Sequence, residues 1–173
     1  ARVLYEWNDL AAAEQHGRQS LDLARQYDRV IDRFIIGEVF LARLKLAQGN
    51  LTAADAILAQ TDQSVRQHNF IHRMPEVASA QVLVLLRQGN IGDAAHLVQT
   101  HTLPLSQARV HLAQGDPSEA LAVLTAYRQH VEAKGWQDER LKTMTLQAIA
   151  LHAQGADGEA MQTLREALTL AES

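Results

Sequence analysis

Residues 112–120 read LeuAlaGlnGlyAspProSerGluAla, and the same pattern recurs along the chain. The other blocks with a GlnGly step and an Ala five residues after the glycine are 46–54, 86–94 and 152–160. Together with a degenerate copy near the start, they place corners at Asn8, Gly49, Gly89, Gly115 and Gly155. Recurrence of a block at long, regular spacing indicates a stack of similar supersecondary units.

Each block is interpreted as the corner of a helical hairpin. The glycine, or Asn8, ends a first helix in the left-handed conformation that these residue types adopt at low cost. Asp116, Pro117 and Glu119 have the spacing of a capping box with proline at the first helical position. The alanine five residues after each corner is expected to be small because the two helix axes converge there: Ala13, Ala54, Ala94, Ala120 and Ala160.

Apolar residues recur at helical spacing on both sides of the corners, as Ile35, Val39, Ala42 and Leu46 do before Gly49. The pattern predicts ten helices and no strand, at about 1–6, 10–26, 31–48, 52–67, 75–88, 91–100, 104–114, 117–134, 137–154 and 157–171. We therefore expect an all-α, right-handed superhelix of antiparallel helix hairpins that forms a single domain over residues 1–173.

The composition is ordinary for a folded protein, with 47% hydrophobic and 21% charged residues. A net charge of −4 argues against nucleic-acid binding by this chain, since such binding requires clustered cations. The absence of cysteine excludes disulfides and thiol nucleophiles, and no apolar run is long enough for a membrane span. We expect a cytoplasmic protein, and the start at Ala1 without a methionine suggests a fragment of a larger one.

The corner pattern resembles that of tetratricopeptide helix hairpins. The segments LeuTyrGluTrpAsnAspLeuAlaAlaAlaGlu (4–14) and LeuArgGluAlaLeuThrLeuAlaGlu (164–172), with the LeuAlaGlnGly corners, resemble the helical-repeat region of MalT-like, LuxR-type ATP-dependent transcriptional activators. The resemblance implies an N-terminal signal-transduction NTPase, a C-terminal helix-turn-helix, and a superhelix between them that receives an inducer or a regulatory protein. The chain itself contains neither a GlyXXXXGlyLysSer/Thr loop nor a basic recognition helix.

No constellation of residues predicts an enzyme, a cofactor or a metal site. His68 and His72 are four apart, but they straddle a predicted turn and lack the intervening glutamate of a zinc protease. No serine stands in a nucleophile-elbow motif. The aromatic residues at hairpin ends are expected to be wedges between hairpins, with ligand stacking as the alternative; they are Trp7, Phe70, Tyr127 and Trp136.

Candidate binding residues follow from repeat geometry, because the first helix of each hairpin lines the inner surface of such a superhelix. Counting back from the corners, Arg43 and Arg109 lie six residues before, Phe40 nine, and Arg33 and Arg73 sixteen. These side chains would suit an anionic or hydroxylated ligand or an acidic peptide. The alternative is that the arginines are solvated or paired with nearby carboxylates.

The functional hypothesis from the sequence is a ligand-sensing and protein-interaction domain of a LuxR-type transcriptional regulator, with no catalysis of its own. Its partners would be a small-molecule inducer or regulatory protein and the other domains of the same chain. The alternative is a tetratricopeptide-like adaptor that docks a peptide or protein.

Overall fold

The computed structural model describes residues 1–27 and 32–172, and these residues form ten α-helices and no β-strand. The helices are α1 (Arg2–Glu6), α2 (Leu10–Tyr27), α3 (Asp32–Ala47), α4 (Leu51–Gln67), α5 (Met74–Arg87), α6 (Ile91–Thr100), α7 (Pro104–Gln114), α8 (Pro117–Lys134), α9 (Gln137–Ala153) and α10 (Asp157–Ala171). The predicted all-α fold and helix order are confirmed. A 3₁₀ turn at Ile71–Arg73, just before α5, was not predicted.

The helices belong to two compact units, α1–α5 in residues 1–90 and α6–α10 in residues 91–173. We call the helix before each corner a first helix (α1, α3, α5, α7, α9) and the helix after it a second helix. In the first unit α3 contacts α2, α4 and α5, and in the second unit α9 contacts α7, α8 and α10. Each unit therefore places two consecutive first helices side by side and covers them with second helices.

All five predicted corners adopt the left-handed conformation, with φ of 60° at Asn8 and between 78° and 83° at the four glycines. The residue after each corner donates a backbone hydrogen bond to a carbonyl five residues earlier, as Asp116 does to His111. This bond satisfies a carbonyl that the helix end would otherwise leave unpaired. The corner motif thus ends the first helix and reverses the chain.

Two further left-handed residues, Asn69 and Gly135, lie in the turns that connect a second helix to the first helix of the next hairpin. They lie twenty residues after Gly49 and Gly115, and each is followed by an aromatic residue. The amide of Phe70 bonds to the carbonyl of Val65, and that of Trp136 bonds to the carbonyl of Val131. The same turn therefore recurs at two places in this chain, and the GlnGly pattern does not predict it.

The predicted cap residues behave differently from one another. Asn50 accepts a hydrogen bond from the amide of Ala53 at 3.0 Å, and Asp9 accepts one from Ala12 at 3.1 Å. Asp116 holds the N-cap position before Pro117, but its side chain accepts no capping bond, so the predicted capping box is wrong. Asp116 is exposed, so water can solvate both the carboxylate and the free amides of the first turn.

The five corner alanines are buried as predicted. Ala13, Ala54, Ala94 and Ala120 have no exposed surface, and Ala160 is 7% exposed. A larger side chain at such a site would have to displace packed neighbours. The alanines therefore allow the closest approach between helices at the corners.

The core of each unit forms where a second helix meets the next first helix. In the first unit Leu58 packs in one cluster with Val77, Ala80 and Val84 of α5. In the second unit Leu124 packs with Leu146 and Ala150 of α9. None of the described helices is long and apolar enough to cross a membrane.

Candidate partner-binding face

One side of α3 is left uncovered by its neighbours. Its exposed residues are Ile36, Arg43 and Ala47, which lie at i, i+7 and i+11 and so share one helix face. Ile36 is 50% exposed although it is apolar. The opposite sides of α3 carry the buried residues that contact α2, α4 and α5. This uncovered side is therefore a surface available to a partner.

The neighbouring first helix, α5, continues the same surface. Leu83 lies six residues before its corner, as Arg43 does, and Arg87 lies two residues before it, as Ala47 does. Leu83 is half-buried and Arg87 is exposed. Because α3 and α5 are in contact, we infer that the two exposed sides belong to one surface. We define the first-helix face of this unit as Ile36, Arg43, Leu83 and Arg87.

The two arginines of this face differ from Lys45 of α3 in their pairing. Neither Arg43 nor Arg87 makes a hydrogen bond or ion pair with any residue that the structure describes. Lys45, two residues from Arg43, is instead paired with Glu14 at 2.7 Å. Two exposed guanidinium groups on helices that also carry Ile36 and Leu83 can bind carboxylates, while the aliphatic side chains bury apolar surface.

Only part of the predicted site is found here. Arg43 lies on the face, whereas the side chain of Arg33 is outside the described residues. Arg73 is at the start of α5, where it is paired with Glu76 at 2.9 Å. Arg109, in the second unit, donates a hydrogen bond to the carbonyl of Leu105 at 3.3 Å. For Arg73 the structure favours the alternative of pairing with a nearby carboxylate, whereas a binding role for Arg109 stays a prediction.

Phe40 was predicted to lie on the inner surface, and its side chain is half-buried. Its ring lies edge-on to Tyr5 with ring centroids 5.9 Å apart, and it packs in the cluster between α2 and α3. A side chain added at Gly17 would lie 3.1 Å from the Phe40 ring. The glycine in α2 therefore makes room for Phe40, which packs α3 against the first hairpin.

The sequence interpretation did not name Ile36 and Arg87 as members of the face. The notable signal was Arg87, a charged residue two positions before the corner in a helix that is otherwise mostly apolar. Counting every helical turn back from the corner, at two, six and thirteen residues, would have found all of them. The positions nine residues before the corner are instead buried in α5, α7 and α9, at Ala80, Ser106 and Leu146.

The second unit has a related arrangement that is described by itself. On α9 the exposed line contains Lys142, Thr145 and Ile149, and Ile149 is 50% exposed. Lys142 is paired with Glu139 at 2.8 Å. The first helices of both units therefore expose aliphatic and cationic side chains together, but Lys142 on α9 has a local partner, whereas none is seen for Arg43 among the described residues.

The aromatic residues at the hairpin ends do not form one kind of site. Phe70 packs against the core of the first unit and lies between His68 and His72, as a wedge would. Trp7 is 76% exposed, which is inconsistent with a wedge. Trp136, 49% exposed, lies edge-on to His130, which stacks on Tyr127. Among the described residues no group of three or more His, Asp or Glu side chains could hold a metal ion.

A shallow depression of about 220 Å³ lies between α8 and α9. Arg128 forms an ion pair with Glu132 at 2.9 Å, which lowers the pKa of Glu132. Arg140 Nε lies 3.1 Å from Glu132 Oε1 but is not aligned for a hydrogen bond. Because its charges are already paired with one another, this depression is a less favourable anion site than the first-helix face.

Stacked helix hairpins with corner glycines and buried corner alanines define this molecule as a tetratricopeptide-like helical-repeat domain. The chain matches the family model of MalT-like tetratricopeptide regions over residues 1–173, and it belongs to that family. No curated protein sequence matches the chain. Such domains typically act as interaction scaffolds rather than as catalysts.

The fold is also similar to a solved structure, the nearly identical tetratricopeptide-like repeats of a protein designated a kinesin light chain from Podospora anserina. The alignment has a TM-score of 0.54 at 20% sequence identity. It covers 98% of this chain and 90% of the other. At this identity the likeness is one of fold.

Proposed function

We propose that this chain is the sensor region of a LuxR-type ATP-dependent transcriptional regulator, and that its first-helix face binds the signal. The signal would be a small-molecule inducer or a regulatory protein with an acidic group. The observation that carries the proposal is the pair of exposed arginines, Arg43 and Arg87, without partners among the described residues and beside Ile36 and Leu83. Membership of the MalT-like family supports it.

In this proposal the NTPase and the helix-turn-helix belong to the same polypeptide, and binding shifts the intact regulator between a resting and an active state. A ligand can do so only if its affinity differs between the two states. This chain, which has a net charge of −4, would bind the signal. Other regions of the cytoplasmic regulator would bind DNA and ATP.

A second candidate function is docking of an acidic peptide by an adaptor. The surface favours this alternative because the depressions in the described residues are shallow, whereas small molecules usually bind in deep, apolar pockets. A peptide could instead lie along α3 and α5 and engage both arginines. The two candidates share one face and differ in the occupant.

The test begins with a thermal-shift screen of sugars, aromatic acids, nucleotides and acidic peptides, because a ligand that binds only the native state raises its melting temperature. The Arg43→Ala/Arg87→Ala variant should then bind the ligand found at least about tenfold more weakly, since charge-assisted hydrogen bonds are lost. Its melting temperature without ligand should be unchanged.

The matched control is Arg66→Ala/Arg165→Ala, which removes the same charge from second helices. It should retain full affinity for the ligand. Weaker binding by Arg43→Ala/Arg87→Ala would then reflect lost contacts at the first-helix face rather than the change in net charge. Undiminished binding by the Arg43→Ala/Arg87→Ala variant would remove the first-helix face from the proposal. A response to peptides alone would favour the adaptor.

A further inference from the structure

We draw no further inference here: the strongest candidate, the exposed apolar face of α10 formed by Met161, Leu164 and Leu168, carries nothing because the structure does not show what covers it.

Discussion

The second helices α4 and α8 occupy equivalent places in the two units, and they agree at two positions and differ at a third. Nine and sixteen residues after the corner, both helices carry the same fully buried pair, Leu58 with Val65 and Leu124 with Val131. Twelve residues after it, α4 has Thr61 and α8 has Tyr127. The apolar contacts are thus repeated, whereas the polar contact between them is particular to each hairpin.

The polar residues at this third position point to different helices. Thr61 Oγ1 lies 3.0 Å from Glu38 Oε2, on the first helix of the same hairpin, and 2.7 Å from the carbonyl of Ile57. Tyr127 instead donates to Glu139 Oε2 at 3.0 Å, on the first helix of the next hairpin. The comparison teaches that repeated apolar positions hold the stack together, while the polar position can be changed without changing the fold.

The largest expected effect tests the shared apolar position. Leu58→Ala and Leu124→Ala should each lower the free energy of unfolding by about 2–5 kcal/mol, because each leaves a cavity in a packed core. Leu164→Ala, at the same distance from its corner but partly exposed, should cost less than about 1 kcal/mol. Urea denaturation followed by circular dichroism measures all three. Equal costs would mean that Leu164 is covered in solution.

The second prediction concerns the corners on which both helices depend. Ala54→Leu and Ala120→Leu should each cost about 1–3 kcal/mol, because the added methyl groups overpack the closest approach of two helices. Ala133→Leu, on an exposed position of α8, serves as the control and should be nearly neutral. If the two corner variants had the same melting temperature as the control, the interpretation that the helix axes converge at the alanines would be contradicted.

The third prediction separates the two polar positions. Thr61→Val and Tyr127→Phe should each cost about 0.5–1.5 kcal/mol through a lost hydrogen bond. Burial, followed by the charge of Glu139, raises the pKa of Tyr127 to about 12 from 10.0. The protonated form is thus favoured by folding, so its contribution is complete below pH 10 and is lost as the pH rises through 12.

Tyr127→Phe should therefore reduce the loss of stability above pH 10, whereas Thr61→Val should leave it unchanged. Urea midpoints measured from neutral pH into this range give the two slopes. Identical slopes for the two variants would show that Tyr127 does not titrate differently in the folded state.

The smallest expected effect lies near the first corner, where α2 carries Glu14. Hydrogen bonds from Lys45, Gln48 and Arg18 lower the pKa of Glu14 from 4.5 to about 2. Its contribution is complete above pH 4.5 and is lost as the pH falls through about 2. Glu14→Gln should cost less than about 1 kcal/mol at neutral pH, because the ion pairs are partly exposed.

The measurement is the melting temperature of Glu14→Gln and of the parent chain across this pH range. The two values should differ at neutral pH and converge near pH 2. A constant difference at all pH values would assign the effect to packing rather than to the charge of Glu14.

The helices and corners could be predicted from the sequence because few residues other than glycine or asparagine adopt the left-handed conformation cheaply. The buried alanines followed from the same register. The predicted helix bounds located the turns at Asn69 and Gly135, but not their shared left-handed conformation. Their common signal, a valine four residues before and an aromatic residue after, involves different residue types at the turn itself. Local sequence thus determines the hairpins more clearly than the connections between them.

The candidate site was less predictable because it depends on which side of each first helix remains uncovered. Arg43 was found by counting from its corner, but the same count cannot show that Arg109 bonds to its own helix. The position of Phe40 depends on Gly17, twenty-three residues earlier in the chain, which provides the space that the ring fills. Such long-range pairs are not visible in helical periodicity.

The corner glycines have a consequence for how such repeats diverge. A methyl group added at Gly49, Gly115 or Gly155 would meet no atom within 4 Å, so only the backbone conformation restricts the residue there. Asn8 already occupies one corner at φ 60° with the hairpin intact. Mutational drift from glycine to asparagine should therefore be tolerated at these sites, and a search keyed to glycine will undercount the hairpins in distant relatives. The buried alanine five residues later is the more reliable marker of descent.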